Sequence, residues 1–153
     1  MTSLKEAASL CEKLRTQNKK IVFTNGCFDI LHLGHVKYLA QARALGDFLF
    51  VGLNSDNSVK GLKGPHRPVQ TENDRAAILL SLKSVDAVCV FDEENPLNLI
   101  KLVKPDVLVK GGDWEPAKII GNDFVASYGG KVLSLPFIKG HSSSVLIGKI
   151  QKL

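Results

Sequence analysis

This 153-residue chain has three cysteines, Cys11, Cys27 and Cys89, which are far apart, odd in number and without a C-x-x-C pair. That pattern excludes a zinc ribbon or a disulfide-stapled secreted module and points to a reducing, cytoplasmic compartment. Long apolar runs are missing too; nothing approaches the ~20 residues that span a bilayer. The first twenty residues lack the apolar h-region of a signal peptide. Aromatics are few, with seven Phe, two Tyr and one Trp. They are not interleaved with basic residues as in a single-strand nucleic-acid binder. Carboxylates do not cluster as a protein-built cation cage would need. The net charge of +5 and pI near 9.2 ask for anionic partners such as nucleotides or sugar phosphates. Nucleic acid and membrane are set aside.

What remains reads as one α/β domain over 1–153. Leu4, Ala7, Ala8, Leu10, Cys11 and Leu14 recur at helical spacing, so 1–19 is expected to be an amphipathic helix packed on the domain. Short β-rich runs at 21–25, 48–54, 86–91, 106–112 and 131–136 are nearly continuous in apolar residues, as strands buried on both faces are. Helical patterns at 34–45, 72–83, 96–103, 116–128 and 143–152 alternate with them. Thr71 with Asp74 resembles a capping box, and Pro96 suits a first helical turn. The alternation predicts a parallel sheet with right-handed crossovers. Residues 55–71 read as a long functional loop carrying Lys60, Lys63, His66 and Arg67.

The densest chemistry lies where the first strand gives way to a helix, in "NGCFDILHLGHVKY", Asn25 to Tyr38. Ligands of open α/β sheets lie beyond the strands' carboxyl ends, and a helix start there offers N–H groups and a positive dipole to anions. Gly26 gives the turn, and Gly34 would let a ligand approach the backbone. His32 and His35 can donate to phosphate oxygens. Metal binding by the pair lacks a third ligand at sensible spacing. Cys27 reads as a small half-buried residue, with a reactive thiol as the alternative. Lys60 and Lys63 could neutralise charge on a transferring phosphoryl group, or could simply be a solvated face. "VLVKGGDW", Val107 to Trp114, is either a plain β–α turn or a place where a flat base meets backbone, with Lys110 and Asp113 at its rim and Gly111 and Gly112 leaving room. Ser142, Ser143 and Ser144 are good helix caps that could also hold phosphate, and His141 could join them or face solvent.

"GCFDILHLGH" resembles the G-x-F-D-x-x-H-x-G-H motif of the nucleotidylyltransferase superfamily. "VGLNSD", "SVKGLKG", "RPV", "LVKGGD" and "GHSSSVLIGKI" resemble its D-glycero-β-D-manno-heptose 1-phosphate adenylyltransferase branch, found in many bacteria as the C-terminal half of a bifunctional heptose kinase/adenylyltransferase. The resemblance covers about residues 20–152, and the chain is expected to be a standalone counterpart. Ser143 and Ser144 stand where threonines are common. The resemblance implies a Rossmann-like three-layer sandwich with a five-stranded parallel sheet in order 3-2-1-4-5. It implies transfer of AMP from ATP, with Mg2+, to a sugar 1-phosphate. His32, His35, Lys63 and Lys60 would be catalytic. Asn25, Gly26, Cys27, Phe28, Gly34, Lys110, Gly111, Gly112, Asp113 and Ser142 to Ser144 would bind nucleotide. Asp29, Asn54, Asp56, Arg67 and Arg75 would bind the sugar phosphate. No protein metal ligand is assigned, and a homodimer or higher homo-oligomer is expected. The rival readings are a cytidylyltransferase acting on a small phosphate such as glycerol 3-phosphate, and a non-catalytic nucleotide-binding module.

Overall fold

The computed structural model describes residues 1–136, 138 and 140–153. Five parallel strands, β1 Ile21–Gly26, β2 Phe48–Asn54, β3 Ala87–Phe91, β4 Val107–Gly111 and β5 Lys131–Leu135, form one sheet in the order β3-β2-β1-β4-β5. The expected order and strand positions hold to within one or two residues. Alternate residues of each strand feed two cores, because successive side chains leave a strand on opposite faces. Ile21, Phe23, Phe50 and Leu108 pack with helices α1 Leu4–Thr16 and α5 Leu97–Val103. Val22, Val51 and Val109 pack on the other face with α2 Leu33–Arg43 and α4 Glu72–Leu80.

Helix α1 begins with a full capping box, Ser3 with Glu6, and lays Ala7, Cys11 and Leu14 on the sheet. Thr71 caps α4 by accepting from Asp74 N–H. Two expectations fail. The segment 116–128 is not one helix but a 3-10 turn, Pro116–Lys118, followed by α6 Asn122–Ala126. Gly121 separates them at φ +93°, and a Cβ there would meet Ile100 at 2.9 Å. The stretch 55–71 is not all loop: Asp56–Lys63 forms α3. Ser55 caps it, Asp56 sits at its positive end, Lys60 and Lys63 sit at its negative end, and Gly64 ends it at φ +93°. Only Val59 of α3 is buried, so it is a thin, polar helix lying over the end of β2. The last helix, α7 Ser143–Ile150, returns to the carboxyl ends of the strands.

The register opens the site. β1 pairs with β2 as far as Gly26↔Leu53, and β4 pairs with β5 as far as Gly111↔Leu135. Between β1 and β4 the last pair is Thr24↔Val109. The two central strands therefore part, leaving Asn25 and Gly26 on one lip of a crevice and Lys110 and Gly111 on the other. This is the switch point of an open α/β sheet.

Candidate active site

A cavity of about 490 Å³ fills that crevice. Its floor is the end of β1, and α2 starts along one wall. His32 is the N-cap of α2, with an extended backbone and no side-chain hydrogen bond to the helix. The first turn of α2 thus keeps its N–H groups free of a side-chain acceptor, as an anion site requires. The helix is pinned by Tyr38, whose hydroxyl meets Thr24 Oγ1 at 2.6 Å and donates to Val109 O at 3.3 Å, one contact for each central strand.

His32 and His35 are one helical turn apart, and their rings stack at 3.8 Å and 22°. Phe28 meets the His35 ring edge-on at 5.3 Å. The Nδ1 atoms of both rings are buried and find no hydrogen-bond partner among the described residues. Burial pushes His35 down to about 4, helped by positive charge at His32 and Lys63 and opposed by Asp29. Burial, then repulsion from His141, also lowers His32. Both rings are neutral at pH 7, and their environment favours the cation only once an anion arrives. Because the folded pKa of His35 lies below its unfolded value of about 6.5, the unfolded chain binds more protons between the two values. The stability contribution is complete above pH 6.5 and is lost as the pH falls toward 4, by at most about 3 kcal/mol. Tripolyphosphate should oppose this loss. The expected results are a thermal midpoint that drops from pH 6.5 to pH 4.5, recovers with tripolyphosphate, and shows net proton uptake on binding by calorimetry in two buffers.

Gly34 was expected to admit a ligand. The structure gives it a tighter duty: a Cβ would lie 2.9 Å from the His32 ring and 3.2 Å from His141 Cβ. Gly34→Ala should fold, since alanine favours a helix, but it should displace the His32 ring. A loss of at least tenfold in nucleotide affinity, about 1.4 kcal/mol, with an unchanged melting midpoint is the expected pair of readings.

The segment between β1 and α2 has no regular structure, and Phe28 and Ile30 both take left-handed backbone, φ 45° and 55°. Each such residue costs about 1–3 kcal/mol, so surrounding contacts must hold it. Asp29, expected to touch the sugar phosphate, supplies some of them. It is 1% exposed, receives N–H groups from Val69 and Gln70, and pairs with Arg67 Nε at 2.6 Å. Burial alone would raise its pKa; these donors outweigh that and hold it low. Arg75 also turns inward. It is fully buried and donates to Cys27 O at 2.6 Å, Asn54 O at 2.9 Å and Gln70 O at 3.1 Å, and pairs with Asp56 at 2.7 Å. Asn54, 4% exposed, donates to Ser58 Oγ. The structure places these five residues in a bracing network of hydrogen bonds and ion pairs, and of the five Asp29 alone also lines the cavity.

Lys63 reaches the cavity, whereas Lys60, exposed on α3, does not. Asn25, Gly26, Cys27, Phe28, Lys110 and Gly111 line it. Gly112 and Asp113 do not: Gly112 N–H is tied to Leu135 O at 2.8 Å, and Asp113 is exposed. Burial lowers Lys110, and Cys27 offsets this in part. Across the crevice stands the start of α7. Ser142 caps it by accepting from Val145 N–H, and Ser143 donates its hydroxyl to Asp29 O. Ser144 completes that wall with His141, and Tyr38 lies below. Tyr38 was not singled out as a site residue, although it lies one turn beyond His35.

Two helix starts, two uncharged histidines and two lysines around a crevice suit a polyphosphate. The chain is 52% identical over 136 residues to the bifunctional protein HldE of Trichlorobacter lovleyi, covering 89% of this chain and 28% of that protein. It is 52% identical over 150 residues to the bifunctional protein HldE of Aliarcobacter butzleri, covering 98% of this chain and 31% of that one. The chain therefore spans about three-tenths of the length of these curated relatives. Among solved structures, a lipopolysaccharide core biosynthesis protein from Thermoplasma volcanium matches with TM-score 0.63 and 32% identity, over 80% of this chain and 99% of that one. A pantoate-β-alanine ligase from Francisella tularensis, TM-score 0.65 over 100% of this chain and 78% of that one, is 18% identical and shares the fold alone. The cytidylyltransferase-like family model matches residues 23–133, from the middle of β1 to the middle of β5. With the strand order, the histidine pair and this match in agreement, the chain belongs to the cytidylyltransferase-like family.

Proposed function

We propose that the protein transfers AMP from ATP to D-glycero-β-D-manno-heptose 1-phosphate, giving ADP-heptose and pyrophosphate for lipopolysaccharide core precursors. The observation that carries this reading is the stacked histidine pair at the start of α2, where no side chain caps the helix, faced by the start of α7. An oxygen of the sugar phosphate attacks the α-phosphorus in line. The bond from that phosphorus to the bridging oxygen breaks, and pyrophosphate leaves. The attacking phosphate is already ionised, so no protein base is required. Positioning and charge stabilisation carry the rate. His32, His35 and the two helix starts hold the triphosphate, and Lys63 and Lys110 meet the charge that builds up. The nucleotide enters as MgATP. Mg2+ would be carried by the triphosphate and need few protein ligands.

The 52% identity to HldE proteins and the solved lipopolysaccharide core biosynthesis relative favour the heptose reading. The family's cytidylyltransferase-like description keeps CTP with a small phosphate such as glycerol 3-phosphate as the rival. A pyrophosphate-release assay with ATP and CTP, each against both acceptors, separates them. A kcat/KM highest for ATP with the heptose phosphate is expected; a higher value for CTP overturns the heptose reading. Cytoplasmic location belongs to the same proposal: the three cysteines are free, and no described helix is long and apolar enough to cross a membrane. So does a homo-oligomer, supported by Val145 and Ile150 exposed on α7. A monomeric mass by light scattering would remove it.

A further inference from the structure

A second cavity, of about 170 Å³, opens beside the first and shares two of its lining residues, Asn25 and Lys110. Its other walls are Pro96, Trp114, Lys118, Ile119 and Ile120. Trp114 is the only tryptophan of the chain. It is 50% exposed, so folding alone leaves much of its apolar surface unburied. Yet it is held in place at both ends. Its Nε1–H donates to Gly111 O at 3.1 Å, and its backbone N–H donates to Ser134 Oγ at 3.1 Å. A large aromatic with its own polar atom already satisfied presents bare ring faces to the cavity.

Lys110 stands on the boundary. It is largely desolvated, and no carboxylate lies within 4.0 Å of it among the described residues. A buried ammonium without a counter-ion is costly unless a ligand supplies one. Lys118 sits at the outer rim, paired with Glu115 at 2.7 Å and mostly in solvent. In an in-line transfer the acceptor must approach the α-phosphorus from the side opposite the leaving pyrophosphate. The triphosphate half of the first cavity is set by His32, His35 and the helix starts. The side beyond Asn25 and Lys110 is this second cavity.

We infer that the Trp114 cavity is the acceptor subsite, in which the indole face of Trp114 stacks on the carbon-bound hydrogens of the sugar ring while Lys110 and Asn25 hold the phosphate against the nucleotide. This rests on the proposed sugar 1-phosphate activity and adds the residues that select the sugar. A pocket with apolar and aromatic walls and a few placed polar groups is what fixes a small ligand's orientation. It also separates two tasks: the histidine side serves any nucleoside triphosphate, whereas the tryptophan side chooses the acceptor.

The single tryptophan makes the test direct. Intrinsic emission of the wild-type protein, saturated with α,β-methylene-ATP, is followed while D-glycero-β-D-manno-heptose 1-phosphate is added. A saturable change is expected, and inorganic phosphate, which has the anion but no ring, should give none. Steady-state rates of Trp114→Ala should show the KM for the sugar phosphate raised about tenfold or more, with the KM for ATP within twofold of wild type. Trp114→Phe keeps a ring and should recover most of the loss, and it covers the case in which the alanine variant folds poorly. Emission that responds fully to the nucleotide analogue alone, or a raised KM for ATP instead of sugar phosphate, would place the base in this cavity and overturn the inference. An unchanged sugar-phosphate KM would also overturn it. Should wild type turn over no sugar 1-phosphate, the activity falls, while the emission titration still decides what the cavity binds.

Discussion

Replacing His35 with alanine is expected to lower kcat by about 10²–10³-fold and to leave the melting midpoint at pH 7 nearly unchanged. The two halves of that expectation have one cause. The imidazole is half-buried beside another imidazole and a lysine, and its Nδ1 has no partner. The folded protein gains little from the ring beyond its stacking on His32 and its edge contact with Phe28. Removing it takes away an unsatisfied polar atom along with those contacts. The value of the ring appears only when phosphate oxygens occupy the crevice and its N–H can be used. Below pH 6 the variant should even gain on the wild type in stability, because it lacks a group that resists protonation in the fold. Pyrophosphate-release kinetics and thermal melts at pH 7 and pH 5 check both halves. Near-normal kcat in the variant would remove His35 from the mechanism.

Arg75→Leu is expected to be the most destabilising change in the molecule. The guanidinium is fully buried and serves three carbonyls and one carboxylate on three separate segments, around residues 27, 54–56 and 70. Leucine replaces the volume but leaves Asp56 and the carbonyls of Cys27, Asn54 and Gln70 without their donor. Breaking a buried pair by deleting one partner costs about 3–5 kcal/mol, which for a domain of this size is a fall of roughly 10 °C in midpoint. Arg75→Lys should recover little of it, since one ammonium cannot reach acceptors spread around a planar fork. A melt within 2–3 °C of wild type for the leucine variant, on the same ~2–4 °C per kcal/mol scale, would show that the network is not load-carrying.

The sheet was legible because its strands are buried on both sides. "FLFVGLN" leaves no polar face to confuse the period, and it forms β2 from Phe48 to Asn54 as read. Helix α3 was not legible, because Gly61, Gly64 and a polar surface mimic a loop. Its signals were the Ser55 cap and the acidic start, which are weak beside two glycines. In the site, the histidine pair was legible because its parts lie within one helical turn. The bracing was not. Asp29 meets Arg67 across 38 residues, Cys27 meets Arg75 across 48, and Asp29 meets Ser143 across 114. Short-range patterns say nothing of such partners, so the way Asp29, Arg67 and Arg75 tie the backbone together could not be read from them. Trp114 was passed over for a related reason: its environment is made by Ser134 and Ile119, from the next strand and the turn before it.

Those long-range ties also order events in time. The segment from Cys27 to Leu31 has no local hydrogen-bonded scaffold, and its backbone sits in disfavoured conformations at two positions. It becomes rigid only when α4, the 67–70 turn and the start of α7 have all docked. Contacts that close such long loops form late, because the chain entropy must be lost before they are made. During refolding, sheet and helix signals should therefore return before nucleotide binding does. On the ribosome, the anion cradle written near the beginning of this domain waits for residues at its end.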